Sequence, residues 1–349
     1  LITSLPKMLL SKINYRSIKD YCYSKEYLIH VRTVHLFIVL LSAIWIYRLV
    51  YLWRESLAEA LLSSVLLCSS WEVAYHARWF AADGILMQFT IFTIFLIFLS
   101  IRKSNQKLWL RMAAITAGLS CGSKYPGGAL LIPLLLTNKL FYKQELSKKR
   151  YEYLTLIIIF TCSYLITTPG TLLEPFVFFN DVKFVMGQYW SGWNDAFTVG
   201  KIFENAYLST QYFAFVLFSN YWPVSLLFFC LMIIGFNAIV SEKKSISVIF
   251  LSLPIFYLFY MWTQSTMIVR NYLILVPFMA ILSARGYFYI FNKINHQPFK
   301  NIFICILFVA LFQNFNWLHL ASQSIVDMDK NKSVNIKPDN LSYVHGGYG

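Results

Sequence analysis

Residues 80–100 read FAADGILMQFTIFTIFLIFLS, 21 residues in which Asp83 is the only charge. A helix rises about 1.5 Å per residue, so this run reaches about 30 Å, the depth of a bilayer's hydrocarbon core. We read it as a transmembrane helix. Outward from it, similar apolar runs occupy 34–53, 57–75, 108–123, 126–142, 153–169, 211–237, 246–262, 271–289 and 301–318, which makes ten candidate spans. The turns at 53–57 and at Lys124-Tyr125 are short, so the runs beside them form helical hairpins or re-entrant segments. The expected fold class is an all-α polytopic membrane protein with about ten transmembrane helices.

Composition agrees. The 349 residues are 58% hydrophobic, 18% aromatic and 13% charged, and a soluble domain carries about twice that charge. Thirty-one Phe and 23 Tyr would leave large apolar patches on a soluble chain of this size. The formal net charge of +14 reads as basic loops on one side of a membrane, so nucleic acid is not an expected partner. Cys22, Cys68, Cys121, Cys162, Cys230 and Cys305 form no Cys-x-x-Cys pair. They read as small packing residues rather than a disulfide or zinc framework.

Lys and Arg set the orientation. Alternate loops are basic, with Arg48 and Arg54, then Arg102 to Arg111, Lys139 to Arg150, Lys243 and Lys244, and Arg285 to Lys300. These loops are expected in the cytoplasm, and the opposite set, with Arg78, Lys124, Lys183, Lys201 and Arg270, on the periplasmic or extracellular side of a cell membrane. Residues 1–33 fall on the outer side despite six basic residues, and we read them as an interfacial segment. Residues 34–318 form the transmembrane domain, with a long, aromatic-rich, partly helical outer loop at about 170–207, and 319–349 form a polar tail. Because residue 1 is Leu and no signal peptide precedes the first span, the chain reads as a piece of a longer protein.

Four segments at the outer edge carry ionisable groups. The first runs from Tyr75 to Asp83 and holds His76, Arg78 and Asp83. Arg78 and Asp83 either lock a hairpin as a structural pair or belong to a site, since charges at a membrane edge are costly. Glu72, one turn earlier, either joins this cluster or snorkels to the interface, and the second is expected. The second runs from Gly118 to Gly128, where Lys124 and Tyr125 sit between apolar runs on a broken helix. Such a break exposes backbone N–H groups and an ammonium that can hold a phosphate, or it is a simple turn. The third, Thr168 to Phe176, ends a span and carries Glu174. The fourth, Val269 to Pro277, places Arg270 at the start of a span, to pair with a phosphate or to anchor on lipid headgroups. No Ser-His-Asp order, zinc spacing or dinucleotide fingerprint is present.

In this order the four segments resemble the integral-membrane glycosyltransferases of the GT-C fold. The resemblance is nearest to the protein O-mannosyltransferase-like group, which includes the aminoarabinose transferases of lipid A. The matching elements are Arg78 to Asp83, Gly118 to Tyr125, Thr168 to Glu174 and Arg270 to Pro277, and the resemblance covers about residues 6–290. Departures are Ala82 where the group has Pro, Gly170 where it has Tyr, Glu174 where it has Asp, and Asn271 between Arg270 and Tyr272. Leu5 to Leu10 resembles the Pro-Leu segment that follows the group's catalytic carboxylate, which places that carboxylate before Leu1.

The resemblance implies transfer of a sugar from a polyprenyl-phosphate-linked donor to a lipid, glycan or protein acceptor on the outer face. Such transfer needs a carboxylate to deprotonate an acceptor hydroxyl and cations to stabilise the leaving lipid phosphate. On this reading Lys124 and Arg270 meet the donor phosphate and Asp83 organises the site. Arg78 holds Asp83 in place, and His76, Tyr125 and Glu174 are further substrate-binding candidates. No nucleotide-binding domain is required, and a divalent metal is compatible because the fold occurs with and without one. The alternatives from other classes are a transporter or flippase for a lipid-linked glycan, and a catalytically incomplete membrane scaffold. A transporter predicts charges buried mid-span in matching halves, and the sequence shows no such symmetry.

Overall fold

The computed structural model describes residues 25–77, 81–141, 146–192 and 197–330, and among them every regular element is a helix. In chain order they are α1 (Lys25–Arg54), α2 (Leu57–Ser69), α3 (Trp71–His76), α4 (Ala82–Arg102), α5 (Gln106–Ser123), a 3-10 helix Tyr125–Leu130 and α6 (Leu131–Phe141). Then follow α7 (Leu146–Thr167), α8 (Gly170–Leu173), α9 (Pro175–Ser191), α10 (Phe203–Phe215), α11 (Trp222–Ser241) and α12 (Ser245–Trp262). A second 3-10 helix, Val269–Leu275, leads into α13 (Val276–Lys293), and α14 (Gln297–Lys330) closes the described chain. The protein is thus an all-α polytopic membrane protein.

Six segments are long and apolar enough to cross a bilayer: Ile29–Arg54, Ala82–Arg102, Trp222–Ser241, Ser245–Trp262, Val269–Lys293 and Gln297–Leu320. The other four expected spans are helical but shorter, interrupted or less apolar. The run 57–75 divides at Ser70, 126–142 begins as a 3-10 turn, and α5 carries Lys107 and Arg111 near its start. The run 211–237 also divides, into α10 and α11, with Pro223 opening α11.

Two of these interruptions compensate each other. A helix broken inside the bundle leaves peptide groups without partners, which is tolerated at membrane depth only where protein supplies new ones. Here the Trp71 N–H donates to the Phe218 carbonyl at 3.2 Å and the Glu72 N–H to the Leu217 carbonyl at 3.4 Å. The Ser70 hydroxyl donates to the same Leu217 carbonyl at 2.8 Å. From α14, the Asn314 amide donates to the Ser69 carbonyl at 2.6 Å and the Phe218 carbonyl at 2.9 Å. Asn314 is fully buried, so one amide closes both breaks.

The centre of the bundle is α13. The apolar window of Val269–Lys293 is 78% buried, against 17% for Gln297–Leu320, which puts α14 on the periphery. α11 and α13 touch backbone to backbone. A Cβ on Gly235 would stand 1.8 Å from the Leu282 carbonyl oxygen, and one on Gly286 would stand 1.9 Å from that of Leu231. Small residues at such a crossing let dispersion and weak polar contacts substitute for the hydrophobic drive that lipid removes.

One end of the bundle is fastened by four charges. Glu242, just beyond α11, accepts from Arg54 at 2.8 Å and from Arg285 at 2.9 Å. Glu59 of α2 lies 3.7 Å from Arg54 and 3.6 Å from Arg285. Each acid stands between the same two guanidinium groups, and the set ties α1, α2, α11 and α13 together. Above it, Trp53 packs on Phe98 and Phe250, and Phe250 on Phe278, joining α1, α4, α12 and α13.

Candidate functional site

The opposite end holds the residues singled out from the sequence. α5 stops at Ser123 because Lys124 takes extended backbone, with φ −160° and ψ 136°, and Pro126 then opens the 3-10 turn. Gly127 lets that turn fold back on α5, since a Cβ there would lie 2.5 Å from the Cys121 amide nitrogen. The result is a lysine projecting from a helix break.

Its ammonium donates to Asp83 Oδ1 at 2.5 Å and to Asn271 Oδ1 at 2.7 Å. Asp83 lies in the first turn of α4, where the helix dipole favours a negative charge. Asn271 lies in the second 3-10 helix and is fully engaged. Its amide donates to the Tyr189 hydroxyl at 3.0 Å, and its carbonyl accepts from the Tyr257 hydroxyl at 2.9 Å. Side-chain exposure is 6% for Asp83 and 25% for Lys124. The acid is therefore enclosed while the lysine reaches the surface. An ammonium has three protons, and two are used here, so one N–H remains available to a further acceptor among the described residues.

Arg270 precedes Asn271 and is half-buried. Its Nε is buried without a hydrogen-bond partner among the described residues. An Arg whose donors are unmet is suited to an anion, because the guanidinium stays charged and presents its donors in a fixed fork. Arg270 is thus the chain neighbour of the residue that accepts from Lys124.

The remaining candidates take different places. His76 is buried, with Nε2 2.7 Å from Glu72 Oε1, and Glu72 also accepts from the Tyr212 hydroxyl. Glu72 is completely buried rather than snorkelling, because the α2–α3 break draws it against α10. Tyr125 leaves its ring edge-on to Phe178 of α9. Partial desolvation raises its hydroxyl pKa above the usual phenol range, and Tyr164, Asp181 and Cys121 add to the effect. Glu174 is exposed between α8 and α9. Arg78 lies outside the described residues, as does Asp195.

Asn271, Tyr189 and Tyr257 were not among the sequence candidates. Asn271 had a signal, as the residue that interrupts the family's Arg-Tyr pair. Tyr189 comes from α9 (Pro175–Ser191), which lies within the stretch expected as a partly helical outer loop. Its apolar side chains, including Phe176, Phe179 and Phe184, are exposed. Its C-terminal end is tied to the site, since the Ser265 N–H donates to the Tyr189 carbonyl at 2.9 Å and the Thr266 hydroxyl to the Gln188 carbonyl at 3.1 Å.

A divalent metal needs several oxygen, nitrogen or sulfur ligands together. No group of three or more His, Cys, Asp and Glu is placed to hold one among the described residues. Asp83 is already bound to an ammonium.

Comparison with known proteins places this architecture. The fold is shared with an archaeal oligosaccharyltransferase. Residues 28–166, which include Asp83 and Lys124, match the family described as dolichyl-phosphate-mannose-protein mannosyltransferase. Among solved structures, the oligosaccharyltransferase AglB of Archaeoglobus fulgidus, in complex with an inhibitory peptide and a dolichol-phosphate, superposes with a TM-score of 0.53 at 11% identity, over 93% of this chain and 49% of that one. The Archaeoglobus fulgidus oligosaccharyltransferase with zinc and sulfate gives 0.51 at 11% identity, over 90% and 45%. Its apo form gives 0.52 at 11%, over 93% and 49%. The chain spans about half the length of these structures. Comparison with curated proteins gives no match.

Proposed function

We propose that this chain is membrane machinery of a glycosyltransferase that takes a sugar from a polyprenyl-phosphate-linked donor. The Lys124 end of the bundle receives the donor and faces away from the cytoplasm. The observation that carries the reading is the Lys124 ammonium, positioned by Asp83 and Asn271 with one donor unused among the described residues, together with Arg270, the chain neighbour of Asn271, whose Nε is unmet among them. The family matched by residues 28–166 and the dolichol-phosphate held by the archaeal relative support a lipid phosphate as the donor's leaving group. The peptide in that relative supports a protein among the acceptor classes. The alternation of basic loops supports the orientation.

In the reaction, the bond between the sugar's anomeric carbon and the lipid phosphate oxygen breaks, and the electron pair stays on the phosphate. Fixed cations lower that barrier most where charge develops. Lys124 and Arg270 serve this role. Asp83 aims Lys124, and Arg78 stands as a candidate to hold Asp83 in place. The acceptor hydroxyl gives its proton to a carboxylate base as its oxygen attacks. Asp83 is committed to Lys124, so we assign the base to a carboxylate outside this site, as the resemblance implies. Tyr125, Glu174 and His76 stand as candidates for contact with, or support of, the bound sugar or acceptor.

Binding of a short-chain polyprenyl phosphate to the purified protein in detergent tests the reading. A hydrogen bond to a charged group contributes about 1.5–3 kcal/mol, so Lys124→Ala and Arg270→Ala should each weaken binding roughly 10- to 150-fold. Unchanged affinity in both rejects it.

A further inference from the structure

A second polar and apolar constellation lies at the other end of the molecule, where α13 ends at Lys293 and α14 begins at Gln297. The turn between them opens onto a groove of about 520 Å³. Its mouth is lined by Lys293 and His296, and its length by Phe299, Ile302, Phe303 and Ile306. The four apolar residues follow helical spacing, so they form one stripe along α14. Phe303 makes the floor, stacked on Tyr287 at 4.6 Å, while Phe299, Ile302 and Ile306 stay exposed.

The stretch of chain that forms this groove carries charge of one sign. No Asp or Glu occurs between Glu242 and Asp327. Lys293 lies over the Tyr289 ring at 4.2 Å and Lys300 over Phe291 at 5.3 Å, and neither has an ion pair among the described residues. Both flanking helices are membrane spans whose ends meet here, so the mouth falls at the level of lipid headgroups and the stripe runs into the hydrocarbon.

We propose that this groove binds one anionic phospholipid. Its phosphate lies between Lys293 and Lys300 with His296 as a further polar contact, and one acyl chain follows Phe299, Ile302 and Ile306. Two ammonium groups without carboxylates select a negative headgroup, and the stripe distinguishes a lipid from a free phosphate. The site is at the opposite end from Lys124 and does not depend on the glycosyltransferase reading.

Native mass spectrometry of the detergent-purified full chain, titrated with phosphatidylglycerol or phosphatidylcholine of the same acyl chains, tests this. A basic residue near a lipid headgroup contributes about fivefold in affinity. The first phosphatidylglycerol should therefore bind about 25-fold more tightly than phosphatidylcholine. Lys293→Gln with Lys300→Gln should abolish the preference. Ile302→Trp with Ile306→Trp, which fills the groove and leaves the charges, should weaken phosphatidylglycerol binding at least fivefold. Lys293, Ile302 and Ile306 are exposed and Lys300 is half-buried, and an unchanged thermal transition confirms that the variants are folded. Equal affinity for the two lipids in the unmodified protein overturns the proposal. So does a preference that survives the lysine substitutions, or binding that survives filling the groove.

Discussion

Removing the Lys124 ammonium while keeping its stem, as in Lys124→Met, leaves Asp83 enclosed with its cation gone. Breaking a buried ion pair at one partner costs about 3–5 kcal/mol. Lys124 is 25% exposed and Asp83 only 6%, so some water reaches the acid once the ammonium is lost. We discount the cost to about 2–3 kcal/mol. Asp83→Asn is milder, about 1–2 kcal/mol, because Lys124 keeps Asn271 and partial hydration. In the double variant no charge is left unpaired, so the loss should fall short of the sum by about 1–2 kcal/mol. For a domain of this size 1 kcal/mol moves the midpoint by about 2 °C. Thermal unfolding of the four proteins in one detergent should show Lys124→Met about 4–6 °C below the parent and the double variant little lower. Effects that add within about 0.5 kcal/mol would mean that the two groups do not interact, and the site as described would be wrong.

Other parts of the fold give independent expectations. Glu242→Gln takes the shared acceptor from Arg54 and Arg285 and should cost about 2–3 kcal/mol, read as a lower midpoint in the same assay. Gly286→Ala sets a Cβ 1.9 Å from the Leu231 carbonyl oxygen, so α11 must leave α13. Its outcome should be loss of monodisperse protein on size exclusion, whereas Gly187→Ala, where nothing lies within 4 Å, should behave as the parent. Asn314→Leu strips the Ser69 and Phe218 carbonyls of a donor at once and should lower stability by about 2–3 kcal/mol. A neutral result there would mean that the two helix breaks are not held as described.

The membrane spans were legible because a bilayer demands long apolar runs, and a run such as 80–100 has no other comfortable solution. Asp83 and Lys124 were legible for the complementary reason, as charges at the ends of such runs. What the sequence did not reveal is pairing over distance. Asp83 and Lys124 are 41 residues apart, and Asn271 is 147 from Lys124. Their meeting is a property of how α4, α5 and the second 3-10 helix pack. The same holds for the breaks at Ser70 and before α11, where the Ser70 hydroxyl meets the Leu217 carbonyl across 147 positions. Glu72 shows the limit most clearly. As part of an apolar run near a helix end it suggested a side chain reaching for water more than one joining the His76 cluster, yet it lies fully buried between His76 and Tyr212. The four charges at the opposite end were likewise spread among loops whose Lys and Arg read only as an orientation signal, with Glu59 and Glu242 unnoticed as their partners.

We propose that the Lys124 end of this bundle promotes departure of a lipid phosphate from a sugar. The most direct measurement is transfer of radiolabelled sugar from a polyprenyl-phosphate-linked donor by the complete protein in native membranes, compared with Lys124→Ala and Arg270→Ala at matched abundance. If each cation stabilises the leaving phosphate by about 3 kcal/mol, transfer should fall at least 100-fold in either variant. Transfer at the unmodified rate in both would contradict the account.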